Sequence, residues 1–247
     1  MTSQIFIDAT WKAEIRLTNE VLNYLERKKV KSLALFTNVQ FSRTELIKGQ
    51  LKSVNIEVNQ TKAKRTSSIG QILGCDLYHD SFEEPIIEKS DAVMYIGDGL
   101  FHPKALLLSQ IKKPVIKQII QFDPTNEKMT ILDKDAIEKE YLKKIRNLKM
   151  YINAKTIGIF VTIKPGQQYL KSAEKLKESL EKQGKLAYLF IDDTLKLSEL
   201  ENYPFIEAWV NTACPRIGTD DILNTSKPLI NLREAADPAK ELEELQK

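Results

Sequence analysis

Apolar runs of strand length, each closed by small or polar residues and followed by an amphipathic stretch, recur from one end of the chain to the other. That rhythm is the signature of βα units wound around a parallel sheet. In the first half SQIFIDAT leads into EVLNYLERKK, SLALFTNVQ leads into TELIKGQLKSV, and NIEVNQ follows. GQILGC then opens a helix or turn, AVMYIGDG leads into HPKALLLSQI, and PVIKQIIQFD closes the set. In the second half TIGIFVTI passes through KPGQ into QYLKSAEKLKESLEKQG, where Gly184 is placed to cap a helix. KLAYLFID, a helix over TLKLSELENY, the strand AWVNTA, the helix-prone DDILNTS, a last strand in PLINLREA and a charged tail, DPAKELEELQK, complete it.

The expected fold is therefore α/β: two similar doubly wound domains with parallel sheets flanked by helices. At 247 residues the chain exceeds an ordinary single domain of ~100–150. The expected division is 1–128 and 129–247, with an amphipathic helix carrying Ile137, Tyr141, Ile145 and Leu148 on one side as the linker.

Composition narrows the function classes. A net charge of +3 is the difference between 37 basic and 34 acidic residues, without the concentrated basic surplus of a committed nucleic-acid binder. Membrane spans need ~18–20 apolar residues in a row, and no such run or basic-then-apolar leader is present. The expectation is a cytoplasmic protein, no membrane and no nucleic acid. The two cysteines, Cys75 and Cys214, are too few and too distant for a secreted disulfide framework, and a reducing compartment keeps them as thiols or metal ligands.

Open parallel sheets bind ligands beyond the carboxyl ends of their strands, so the residues ending each apolar run carry the functional information. Those ends hold Thr37, Asn38 and Gln40; Gly74 and Cys75; Gly97, Asp98, Gly99 and His102; Lys164, Pro165, Gly166 and Gln167; Asp192 and Asp193; and Asn211, Thr212, Cys214, Pro215 and Arg216. An isolated cytosolic cysteine is most often a small buried apolar residue, but both of these fall on the ligand side. IKPGQQ reads either as plain turn chemistry or as a helix start whose N–H groups hold a carboxylate or phosphate. GDGLFHP is a weak glycine-rich anion loop, and His102 beside Pro103 equally begins a helix. Arg216 offers a two-pronged grip on a carboxylate, or solvent exposure alone. Asp220 and Asp221 are placed to cap the helix that follows.

Together GQILGCD at 70–76, GDGLFHP at 97–103, VTIKPGQ at 161–167 and VNTACPRIGTDD at 210–221 resemble the archaeal diphthamide synthase family, 2-(3-amino-3-carboxypropyl)histidine synthase. The resemblance spans about residues 5 to 235, with LFTNVQF like the start of the family's middle domain. It implies a radical S-adenosylmethionine enzyme that holds a [4Fe–4S] cluster on three cysteines, one from each of three α/β domains. The enzyme would transfer a 3-amino-3-carboxypropyl group to a histidine of translation elongation factor 2. Cys75 matches the middle-domain ligand and Cys214 the third-domain ligand. No catalytic residue beyond the cluster is implied. Lys164, Pro165, Gly166, Gln167, Gly97, Gly99, His102 and Arg216 become candidates to hold S-adenosylmethionine. The family's first domain, with its cysteine, has no counterpart in these residues. The expected partner is thus a second copy, or a different chain supplying that domain, and the alternative is a noncatalytic accessory subunit of a synthase complex.

Overall fold

Thr37, Thr162 and Asn211 each end a run of buried apolar residues, and each run is a strand. The computed structural model describes residues 10–194 and 196–246, with the main chain alone at 223 and 224. All but the last residue of the expected strand SQIFIDAT lies outside those residues. The chain divides into two compact units, 1–137 and 138–247, so the break falls later than the 128/129 boundary expected from the sequence.

The first unit runs α1 (Asn19–Arg27), β1 (Ser32–Thr37), α2 (Glu45–Ser53), β2 (Glu57–Asn59), α3 (Ile86–Lys89), β3 (Ala92–Ile96), α4 (Phe101–Leu108), β4 (Ile119–Asp123) and β5 (Lys128–Leu132). Its sheet has the order β2-β1-β3-β4-β5. The pairs β1–β2, β1–β3 and β3–β4 are parallel, and only the hairpin strand β5 is antiparallel. Both faces are covered, which is why β1, β3 and β4 read as near-continuous apolar runs instead of alternating. Phe36, Tyr95 and Ile119 pack to one side with Leu106 and Ile72, while Leu35, Met94 and Ile120 pack to the other with Val21, Leu25 and Ile47.

The second unit runs α5 (Glu138–Asn153), β6 (Thr156–Thr162), α6 (Leu170–Lys182), β7 (Leu186–Asp192), β8 (Ala208–Asn211), β9 (Leu229–Asn231), α7 (Leu232–Ala236) and α8 (Pro238–Leu245). Its sheet, β7-β6-β8-β9, is parallel throughout. Gly158 on β6 sits opposite Trp209 on β8, and a methyl group at 158 would come within 2.4 Å of the indole. The glycine gives Trp209 room to lie fully buried, with Phe190 4.7 Å away ring to ring.

The two units share one topology. Among the described residues, the first strand of each lies inside its sheet, the second pairs on one side of it, and the third and fourth lie on the other; the first unit adds the antiparallel β5. The switch points are therefore β1/β3 and β6/β8. One fastening is repeated too. Asp91, just before β3, accepts hydrogen bonds from the N–H groups of Lys31 and Ser32 at the start of β1, both at 2.9 Å. Glu207, just before β8, accepts one from the Lys155 N–H ahead of β6 at 2.7 Å.

Three local expectations change. The helix proposed as a linker belongs to the second unit's core, and its inward stripe is largely polar: Glu140, Lys144 and Asn147 are buried beside Leu148 and Tyr151. Lys144 reaches Glu234 at 2.7 Å and Glu241 at 3.3 Å, and Asn147 donates to the Leu229 carbonyl at 2.9 Å. The charged tail is α8, capped by Asp237, whose side chain accepts from the Lys240 N–H, and anchored by buried Glu241 and Leu245. Over 194–203 and 220–226 the chain makes 3-10 turns instead of α-helices, Leu197–Asn202 and Asp221–Asn224. Gly184 does end α6 as expected: with φ +79° it lets its own N–H reach the Glu181 carbonyl and that of Lys185 the Leu180 carbonyl.

Candidate functional site

In the first unit, the segment from Gly70 to Asp76 is an irregular strap over the carboxyl end of β1, neither helix nor strand. The Thr37 N–H donates to the Gly70 carbonyl at 2.8 Å, and the Ile72 N–H to the Thr37 carbonyl at 2.9 Å. Gly74 then passes beneath Phe101, the first residue of α4; a Cβ there would lie 1.7 Å from the ring, so a side chain at 74 would have to push the ring aside. Cys75 follows, half-buried, on the strap beyond the carboxyl end of β1. Buried Asp76 fastens the turn by accepting from the Leu73 N–H at 2.7 Å. Burial pushes the Asp76 carboxyl above its usual range, against that N–H and the nearby Arg65. Arg65, which sequence reasoning missed, donates to the Cys75 sulfur at 2.7 Å and to the Cys75 carbonyl at 3.1 Å.

The neighbouring loop is held from β4. Buried Gln121 donates to the carbonyls of Gly97 and Gly99, at 3.0 and 2.8 Å. Both glycines have positive φ, and a side chain at Gly97 would strike the Tyr95 hydroxyl. His102 lies in the first turn of α4, stacked on Tyr95 with ring centres 5.7 Å apart.

In the second unit Cys214 is half-buried three residues beyond β8. Asn211 folds the loop back: it donates to the Cys214 carbonyl at 2.8 Å and accepts from the Ala213 N–H at 3.0 Å. Asn231, at the end of β9, accepts from Asn211 and donates to the Pro215 carbonyl at 2.9 Å. Its amide fills the space a side chain would need at Gly218. The last parallel strand of each unit thus carries an amide, Gln121 or Asn231, that fixes the loop after the third strand.

The other expected residues divide. Arg216 is buried, 5% exposed, and ion-paired with Asp220. Asp220 therefore grips an arginine and does not cap the following turn with its side chain, as the sequence suggested. Lys164, Pro165 and Gly166 form an exposed turn with Gly166 at φ +78°, closed by the Gln167 N–H to the Lys164 carbonyl at 3.1 Å. Helix α6 starts at Leu170, so this turn precedes the helix and is not its first turn. Gln121 and Arg65 were not legible because each acts from an element whose proximity only the fold creates.

Among the described residues, no group of three or more His, Cys, Asp and Glu is arranged to hold a metal ion. What the fold offers is one thiol in each unit, on a loop beyond the carboxyl end of a strand and braced by amide or guanidinium groups. Thiolate donors of this kind are what iron–sulfur clusters take. A mononuclear oxygen-ligand site would need carboxylates that are not gathered here.

A doubly wound α/β chain with a half-buried cysteine beyond a strand end in each unit is thus the class that fold and site define. The family described as "Putative diphthamide synthesis protein" matches residues 3–243, and the chain belongs to it. It is similar to the 2-(3-amino-3-carboxypropyl)histidine synthase of Pyrococcus horikoshii, 30% identical over 185 residues, covering 74% of this chain and 50% of that protein. It is 29% identical over 205 residues to subunit 1 of the Caenorhabditis elegans synthase, covering 81% of this chain and 47% of the relative. The chain spans about half the length of the curated relatives it matches. The crystal structure of Dph2 from Pyrococcus horikoshii with a 4Fe-4S cluster aligns with a TM-score of 0.69 at 28% identity, over 89% of this chain and 61% of that one.

Proposed function

We propose that this chain acts in the first step of diphthamide formation, the transfer of a 3-amino-3-carboxypropyl group from S-adenosylmethionine to a histidine of translation elongation factor 2. In this reading Cys75 and Cys214 are thiolate ligands of a [4Fe–4S] cluster, and a further ligand comes from outside these 247 residues. What supports it is that each thiol is half-buried on a braced loop beyond the carboxyl end of a strand, in a family with a relative solved with such a cluster.

When bound, the cluster supplies the electron for reductive cleavage of the sulfonium. The chain's own residues bind and orient. Arg216 is a fixed cation two residues from Cys214, ion-paired with Asp220, and is the group that would take the aminocarboxypropyl carboxylate. The Lys164–Gln167 turn adds an exposed lysine and main-chain N–H groups. The loop of Gly97, Gly99 and His102, set by Gln121, lines the approach to Cys75. No helix among the described residues is long and apolar enough to cross a membrane, and we place the protein in the cytoplasm, where thiols stay reduced.

The test is anaerobic reconstitution with iron and sulfide in the presence of the candidate partner chain. A brown protein whose absorbance is lost in Cys75→Ala and in Cys214→Ala, and which cleaves S-adenosylmethionine when reduced, is the expected result. A second reading rests on the count of two cysteines: the chain supports a catalytic partner, as a homodimer or heterodimer, without holding iron. A colourless preparation that still binds the partner or elongation factor 2 would favour it.

A further inference from the structure

We infer that Arg65 is the positioning residue for Cys75: it holds the strap in place and keeps a hydrogen bond on the sulfur that ligates the cluster. The inference rests on the reading of Cys75 as a ligand and adds a residue ten positions upstream, in TSSIGQILGCD's approach, that no motif singled out.

The geometry is specific. One guanidinium nitrogen of Arg65 lies 2.7 Å from the Cys75 sulfur and 3.1 Å from the Cys75 carbonyl oxygen, and 3.5 Å from the Asp76 carboxylate. That nitrogen carries two N–H groups, which serve the sulfur and the main-chain oxygen, while the Asp76 carboxylate at 3.5 Å is an ion-pair contact that orients the guanidinium plane. Arg65 is itself half-exposed, at 46%, while Asp76 is buried at 2%, so the arginine approaches the strap from its solvent side and is oriented by a fixed carboxylate. Pinning the strap needs only the contacts to the Cys75 carbonyl and to Asp76. The contact to sulfur goes beyond pinning, and it bears on the chemistry of the ligand. Hydrogen bonds to ligating sulfur withdraw charge from an iron–sulfur centre and raise its reduction potential.

The experiment uses the reconstituted complex with Arg65, Arg65→Lys and Arg65→Gln, measuring cluster content by absorbance and potential by redox titration. Arg65→Gln is expected to keep its cluster yet favour the oxidised state about tenfold, a fall of about 59 mV for one electron. Arg65→Lys is expected to recover part of that shift because its charge remains. An unchanged potential in a fully loaded Arg65→Gln protein overturns the inference. A second measurement needs no cluster: the rate at which iodoacetamide alkylates Cys75 in a Cys214→Ala background at neutral pH. Loss of the donated hydrogen bond should slow it several-fold in Arg65→Gln and less in Arg65→Lys, and equal rates overturn the inference. Should Cys75→Ala retain its cluster, the ligand reading fails by itself, and the alkylation rates still decide whether Arg65 governs the sulfur.

Discussion

Lys144 shows at a single residue how far helical periodicity carries a reading and where it stops. The spacing of Ile137, Tyr141, Ile145 and Leu148 marks a helix, and α5 carries the last three, of which only Leu148 is buried. Ile137 closes the 3-10 turn before the helix and packs in the first unit's core. The polar residues of the inward stripe could not be assigned from spacing, because their carboxylate partners Glu234 and Glu241 lie about ninety residues away in sequence. Burial alone pushes the Lys144 ammonium toward its neutral form, but the two carboxylates outweigh burial and hold its pKa above the usual lysine value. Replacing Lys144 with methionine strands two buried carboxylates and should cost about 3–5 kcal/mol in chemical denaturation. Adding Glu234→Gln and Glu241→Gln should return much of that loss. Arg65 and Gln121 were illegible for the same reason: a side chain's meaning depends on what a distant segment brings next to it.

At the scale of elements, strand identity was written in the sequence because the inner strands β1, β3, β4, β6 and β8 are covered on both faces and read as plain apolar runs. The breaks came where propensity and context disagreed. DPAKELEELQK looks like a solvated tail by composition, yet Asp237 caps it and Leu245 finds the core. Fastening at the amino ends of the strands was invisible, since Asp91 and Glu207 read as ordinary surface acids. Hydrogen bonds from the Lys31 and Ser32 N–H groups hold the Asp91 carboxyl below its usual range. A carboxyl lowered in the folded state contributes stability above its unfolded value of ~3.9 and loses it as pH falls through the lower folded one. Asp91→Asn should therefore melt at a lower temperature than the parent at pH 6, and the difference should shrink as the pH drops below about 4. A gap that stays constant down to pH 2 would show that the charge on Asp91 is immaterial.

For the molecule as a whole, each unit has its own sheet and its own core, so a lesion in one should be felt there first. Gly158→Ala forces a methyl group against Trp209 and should cost about 1–3 kcal/mol by overpacking. Hydrogen exchange followed by mass spectrometry should show the added exchange in peptides of 138–247, with those of 10–137 unchanged. The fold class and the two thiols were legible because strand ends and cysteines are local signals. The role of α5 as part of the second unit's core, not a linker, was not, because it depends on long-range pairing.

Shared topology makes the two cysteines instructive, for they do not occupy matching connections. Cys75 lies between the second and third strands of its sheet, on a strap that doubles back over the first, whereas Cys214 directly follows the third strand of the other. Copying a single ancestral half would have delivered a thiol to the same connection twice. If the halves descend from one such copy, at least one sulfur was acquired afterwards, on a scaffold already in place.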